Sequence, residues 1–328
     1  MRIAILGAGM AGASAARRLA DAGHAVVVFD KARGTGGRMA TRRSEFGSFD
    51  HGAQYFTLRD ARSLKALPGW QAAGVVAPWR ARVVAIDAPG VWRDTGPETR
   101  WVAVPGMPAL ARHLLDGVPL RLEARVVRVR RSAATWQLEF ADGSRLGGYE
   151  VLLSTLPAPQ AADLLAGEEL ATRVAQVAFL PCWAGLYAFD QRLPVAFDAA
   201  FVNVGALSWI ARDASKPGRA PGERWVVHAG PAASVKWLEE EPQTVMARLL
   251  QAMGEALGIE LPAPRMAMVH RWRYALAEAP MHAGALWDPA RGLGLGGDWC
   301  AGSRVEGAFL SGLTLAEQVI ARNETALP

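Results

Sequence analysis

Three glycines near the start of the chain, Gly7, Gly9 and Gly12, stand in the run Gly7-Ala8-Gly9-Met10-Ala11-Gly12. Where such a run joins a strand to a helix, each glycine has its own task. Gly7 permits the tight turn, Gly9 lets the backbone approach a pyrophosphate, and Gly12 lets the helix pack closely on the sheet. The phosphates then rest on free amides at the helix N-terminus, where the helix dipole favours negative charge. Asp30, followed by Lys31, closes the next apolar run 18 residues after Gly12, in position to accept hydrogen bonds from an adenosine ribose.

Two further segments narrow the dinucleotide. Gly36-Gly37-Arg38-Met39-Ala40-Thr41 follows Asp30 at short range. The glycines let the loop hug a cofactor while Arg38 reaches a phosphate. A domain that binds only NAD has no need of this loop, so the pattern points to FAD. Near the other end, Gly296-Gly297-Asp298 precedes Gly302-Ser303-Arg304-Val305-Glu306-Gly307-Ala308. Asp298 suits a ribityl hydroxyl. The helix start at Arg304, Val305, Glu306 and Ala308 suits the pyrimidine edge of a flavin, whose reduced anion the helix dipole stabilises.

Together these segments resemble the monoamine oxidase-type flavoprotein superfamily and, within it, the renalase-like branch. The supporting residues are 29–39, Gly52-Ala53-Gln54-Tyr55-Phe56, Ser154-Thr155-Leu156-Pro157-Ala158-Pro159-Gln160 and Gly296-Gly297-Asp298-Trp299. Many superfamily members carry Glu where this chain has Asp30. The resemblance implies a glutathione-reductase-like Rossmann FAD domain and a substrate domain with an antiparallel sheet and helices. It places residues 52–56 beside the isoalloxazine, Val127 against the adenine by its backbone, and Thr155 in the cofactor site. Covalent flavin in some relatives needs a cysteine in a particular C-terminal loop. Cys300 lies elsewhere, so the cofactor is expected to be non-covalent FAD.

The branch implies oxidation of 2- and 6-dihydro isomers of NAD(P)H to NAD(P)+, by hydride transfer to flavin N5 with oxygen reduced to hydrogen peroxide. Such a substrate needs alignment rather than an acid or base, so no catalytic side chain is singled out. Tyr55, Phe56, Tyr187, Trp209, Trp272, Trp287 and Trp299 are candidate stacking walls. Gln54, His228 and His270 are candidates for the carboxamide, Arg271 and Arg273 for substrate phosphate. Each of these residue types is found more often in ordinary packing. Two alternatives stay open: an amine oxidase or desaturase of the same superfamily, and a flavin-binding redox module without enzymatic activity.

The elements that must hold these residues can be read from pattern. Residues 2–6 and 25–29 are apolar strands flanking a helix at 13–22, the opening unit of a doubly wound sheet. Residues 35–55 read as ordered loop, 58–73 as helix, 75–76 and 83–86 as weak strands, and 107–115 as helix. Strands are expected at 120–123, 125–130, 136–140 and 151–155, and a helix at 161–170. Further strands are expected at 183–189, 201–204, 207–211, 225–229 and 267–272, with an amphipathic helix at 241–257. The end returns to the first pattern, with a strand at 292–295 and a helix at 304–322. The fold class is therefore α/β. Residues 1–57, 98–160 and 285–328 form a discontinuous FAD domain, and 58–97 and 161–284 the substrate domain. Seven of the twelve tryptophans fall between Trp183 and Trp299.

Composition sets the outer bounds. The 328 residues are 20% charged and 51% hydrophobic, the balance of a folded globular chain rather than a disordered one. The net charge is +5 and only four basic residues are lysines. The arginines are dispersed, which argues against nucleic acid as a partner. Cys182 and Cys300 offer no disulfide framework, and the six histidines lack metal-ligand spacing. No metal is expected, and a cytoplasmic location is. The N-terminal apolar run is too broken by glycine to read as a secretory signal, and no stretch reaches a membrane span. Oligomeric state is left open.

Overall fold

The computed structural model describes residues 1–325. Its first layer is a six-stranded sheet in the order Leu286–Asp288, Leu293–Leu295, Val151–Ser154, Arg2–Leu6, Ala25–Phe29, Leu120–Arg121. All neighbours are parallel except Leu286–Asp288, which runs against Leu293–Leu295. Strand alternation divides the residues between two cores. Ile3, Ile5, Val26, Val28, Val151 and Leu153 face the helices Met10–Asp21 and Val305–Thr325. Ala4, Leu6, Phe29 and Leu152 face a three-stranded meander of Val126–Ser132, Thr135–Phe140 and Arg145–Tyr149. The two long helices approach so closely that a Cβ on Gly312 would overlap the Ala11 carbonyl oxygen, and Ser14 Oγ donates to the Phe309 carbonyl at 2.8 Å.

The second layer is a seven-stranded sheet in the order Met266–Ala277, Phe179–Phe189, Glu223–Ala229, Leu207–Arg212, Ala199–Val202, Val83–Ala88, Val91–Asp94. It is not wholly antiparallel: Ala199–Val202 pairs in parallel with Val83–Ala88, a strand from much earlier in the chain. The helix Pro242–Leu257 covers one face and buries Val245, Leu249 and Met253 against it.

Several local expectations change. Residues 35–55 are not simply loop, because Thr41–Ser44 and Gly47–Asp50 pair as a short hairpin. Their glycines and polar residues mask the strand signal. The single helix expected at 161–170 is two, Ala158–Leu164 and Glu169–Val174, interrupted at Gly167 with its φ of 96°. Strands at Val91–Asp94, Trp101–Ala103 and Arg145–Tyr149 carry too little apolar alternation to be read beforehand. No helix among the described residues is long and apolar enough to cross a membrane.

Candidate functional site

A cleft of about 1360 Å³ runs along the C-terminal ends of the parallel strands and across to the seven-stranded sheet. Its first end is made largely of backbone. Gly7 takes a φ of 107° to turn out of the strand Arg2–Leu6. Gly9, Met10 and Ala11 line the cleft at the start of their helix, and nothing lies within 4 Å of where a Gly9 Cβ would stand. Gly12 sits beneath, where a Cβ would overlap the Gly7 carbonyl oxygen. Asp30 lines the cleft with both carboxylate oxygens held, one by the Ala8 amide at 2.7 Å and the other by the Ala32 amide at 2.8 Å. Lys31, Gly36, Gly37, Arg38, Met39, Val127 and Thr155 join this end, as do Gly297, Asp298, Arg304, Val305 and Ala308 from the C-terminal segment.

These features fit a bound FAD. Two helix N-termini open on the cleft, a fixed carboxylate ends the second strand, and the open space above Gly9 is where a side chain would block a pyrophosphate. Arg38 and Asp298, expected to meet phosphate and ribityl separately, are paired to each other: Nη1 and Nη2 reach the carboxylate at 2.9 and 2.5 Å. Arg38 also donates to the Ala275 carbonyl, tying the cradle to the second sheet.

The other end is a wall of side chains from the seven-stranded sheet. Cross-strand register sets Trp209 beside His228, His228 beside Ala184, and Ala184 beside His270, one row over four neighbouring strands. Directly opposed residues point to the same face. In the adjoining row Trp272 stands opposite Cys182. All of these except Ala184, whose small side chain leaves room between the histidines, line the cleft. His51 was not singled out from the sequence, yet it organises the wall. Its carbonyl takes hydrogen bonds from His228 Nε2 at 3.3 Å and Trp272 Nε1 at 3.0 Å, and its ring stacks on Trp272 at 5.1 Å. No local signal could have found it, since the three residues come from distant segments.

The wall histidines are neutral at pH 7. Burial pushes His51 down to about 4, helped by His270 and His228 beside it, and burial pushes His228 down to about 4 as well. His270 is lowered by burial and by Arg42. Burial raises both thiols, Cys182 and Cys300, to about 12, so neither is a thiolate. Arg271 and Arg273 stand at the rim and share Glu239, which Arg273 holds at 2.5 and 2.8 Å and Arg271 at 3.2 Å.

Gln54 lies between the two ends, but its amide is already committed. Nε2 donates to the Asp50 and Gly52 carbonyls, and Oε1 accepts from Lys216 Nζ at 3.1 Å. Lys216 is fully buried and also reaches Asp213 at 2.7 Å and Asp50 at 3.4 Å, while Arg219 closes the network on Asp50. Burial pushes Asp50 up, but the charges of Lys216 and Arg219 outweigh it and hold its carboxyl low. Burial raises Asp213 despite Lys216.

Several expected site residues are not at the cleft surface. Tyr187 points to the other face of its strand with Trp183 and Phe189, where its hydroxyl donates to the Met246 carbonyl at 2.7 Å. Trp287 packs on the helix side of the first sheet, under the Arg322 guanidinium. Phe56 is buried and bridges to Trp101. Trp299 is buried, its indole N–H spent on the Leu156 carbonyl. Glu306 turns away, accepting from the Arg59 and Asp60 amides and Ser63 Oγ, and so ties the helix Ala61–Ala72 to its own. Ala8 and Gly12 support the loop from beneath. Gly52, Ala53, Gln54 and Tyr55 do line the cleft. At Gly52 a Cβ would overlap the Arg38 carbonyl oxygen.

A family profile for flavin containing amine oxidoreductase matches residues 58–320, and one for an NAD(P)-binding Rossmann-like domain matches residues 5–67. The chain is 40% identical over 60 residues to a 4,4'-diapophytoene desaturase from Staphylococcus aureus (strain Newman), a match that takes in 18% of this chain and 12% of that protein. A provisionally assigned protoporphyrinogen oxidase from Exiguobacterium sp. 255-15 has a similar fold, with a TM-score of 0.78, 15% identity and 98% of each chain covered. Cyclohexylamine oxidase from Brevibacterium oxydans IH-35A superposes with a TM-score of 0.76, at 14% identity, over 98% of this chain and 99% of that one.

Proposed function

The chain belongs to the flavin containing amine oxidoreductase family, and on that footing we propose that it oxidises dihydronicotinamide dinucleotides, the 2- and 6-dihydro isomers of NAD(P)H. FAD, bound without a covalent link, supplies the two-electron acceptor, with oxygen as the final oxidant. The backbone of residues 9–11, Asp30, Gly37, Val127, Thr155, Asp298 and the helix start at Val305 would hold it.

One observation carries the choice of substrate. The wall from the seven-stranded sheet offers neutral histidines, indole rings and two rim arginines, and no carboxylate among the described residues that line it. Of the acids in the cleft, Asp30 follows the first-sheet strand Ala25–Phe29, Asp163 lies on the helix Ala158–Leu164 after the strand Val151–Ser154, and Asp298 opens the helical turn after Leu293–Leu295. A protonated amine would therefore meet no counter-charge among the residues lining this wall, whereas a dinucleotide would draw its phosphates to Arg271 and Arg273 at the rim, in exchange for Glu239, which they now share. The imidazole of His228 donates its Nε2 proton to the His51 carbonyl, which leaves Nδ1 as an acceptor for a carboxamide N–H. Trp209 and Trp272 flank it as flat apolar surfaces. A dihydropyridine isomer is already activated, so alignment and exclusion of water are what the protein must add. The two unpaired cysteines suit a reducing, cytoplasmic setting.

Anaerobic titration of the yellow holoprotein tests this reading. The 2- and 6-dihydro isomers should bleach the flavin while amines and polyenes leave it oxidised. Bleaching by an amine or a polyene, with the isomers inert, would transfer the assignment to the oxidase or desaturase branches. A holoprotein that no donor reduces, and that reoxidises slowly after photoreduction, would favour a redox module without turnover.

A further inference from the structure

Behind the histidine wall lies a second cavity of about 410 Å³, walled off from the cleft by His51 and His270. Arg42, on the exposed hairpin strand Thr41–Ser44, carries a guanidinium with no ion pair or hydrogen bond to another described residue. His51 and His270 meet edge to face at 4.7 Å. His51 is only 5% exposed, and its Nδ1 has no hydrogen-bond partner of ordinary geometry. The N-terminal turn of the helix Pro242–Leu257 opens on the same space at Pro242 and Gln243, sixteen residues of aligned dipole behind it. No Asp or Glu lines the cavity among the described residues; Glu241 precedes the helix but stands outside it. The rest of the lining is apolar.

An exposed guanidinium, two neutral imidazoles able to take up a proton and a helix N-terminus line one cavity that has no carboxylate in its lining, and the buried His51 Nδ1 there lacks a partner, a set that an anion would complete. We propose that this side pocket binds a small amphipathic carboxylate, its oxyanion against Arg42, His51 and His270 and its hydrocarbon body against Leu186, Met246 and Met268. The apolar half distinguishes such a ligand from a bare inorganic anion, which would leave that surface wet.

Binding would be linked to protons. Burial, His270, His228 and Arg42 all depress His51, with only the Phe49 carbonyl pulling the other way. A bound carboxylate reverses the balance and favours the imidazolium, so affinity rises as pH falls. The His51 carbonyl anchors His228 and Trp272 in the cleft wall, so the occupant would be felt at the substrate end.

The test uses holoprotein and needs no turnover, so it stands or falls apart from the substrate proposed above. Hexanoate, inorganic phosphate and hexylamine are titrated at matched ionic strength by calorimetry, with the His51 and His270 imidazole resonances followed by NMR. Hexanoate should bind saturably at one site, on the order of tenfold tighter at about pH 5.5 than at about pH 7.5, and shift both imidazoles. Phosphate should bind far more weakly and hexylamine not at all. Arg42→Gln, on an exposed strand, should abolish hexanoate binding with the flavin spectrum unchanged. Absence of saturable hexanoate binding, equal binding by Arg42→Gln, or a preference for phosphate or hexylamine overturns the proposal. The imidazole shifts in the wild-type protein decide the matter if that variant does not fold.

Discussion

The two ends of the cleft are built from different materials. The cofactor end is backbone: glycines, helix N-termini and a carboxylate pinned by two amides. The other end, where a substrate is proposed, is side chain: a row across four strands with rings on three of them, its polarity tuned by burial. A backbone cradle tolerates almost any neighbouring side chain but no change in its glycines. A side-chain wall tolerates conservative change at any one position and loses selectivity gradually.

The largest effect should come from the cradle. Gly12→Ala forces a Cβ into the Gly7 carbonyl, so the protein should purify colourless and melt well below wild type. Gly9→Ala meets no protein atom within 4 Å. Its apoprotein should therefore keep its Tm while FAD affinity, measured by fluorescence quenching, falls sharply. Equal FAD affinity in Gly9→Ala and wild type would remove the pyrophosphate from that position.

Lys216 sits where the two ends join. Lys216→Met leaves Arg219 as the one cation of this network for Asp50 and Asp213, and leaves Gln54 Oε1 without its donor. Breaking a buried pair in this way costs about 3–5 kcal/mol, read as a lower midpoint in denaturant. Asp213→Asn in the same chain should recover part of it by rebalancing charge.

At the wall the effect moves from stability to selectivity. Arg271→Gln with Arg273→Gln should raise KM for a phosphate-bearing substrate by roughly ten- to a hundredfold, about 1.4–2.8 kcal/mol, with kcat nearly unchanged. A KM that stays put would separate these arginines from the substrate.

The pH dependence should be gradual. His51 and His228 titrate near 4 in the folded protein against about 6.5 unfolded. The unfolded chain thus takes up protons first. The stability these histidines contribute is complete above about pH 6.5 and is lost as pH falls toward 4. Thermal melts should show Tm declining through that window, and His228→Gln should flatten the decline. Smallest of all, Arg33→Gln should change nothing measurable, because the Arg33 side chain is 93% exposed and its ion pair, at 4.0 Å, is with a Glu123 that is itself 72% exposed.

The cradle was legible from residue order because its geometry is local. The spacing of Gly7, Gly9, Gly12 and Asp30 is the spacing of one strand, turn, helix and strand, and no distant contact is needed to set it. The α/β class and the flavin cofactor followed from the same local logic. The wall was legible only as a set of residue types. Trp209, His228, His270 and Trp272 could be named as rings able to face a substrate, but so could Tyr187 and Trp287, which do not. Strand register and the alternation of side chains between faces separate the two groups, and register depends on which strands lie side by side. His51 was invisible because its part is played by a carbonyl, and every residue has one. The order of amino acids by itself determined where a dinucleotide would meet bare backbone. Which rings surround the remaining space was decided only when strands far apart in the chain came into register, because burial and facing are properties of the packed sheet and not of any segment in it.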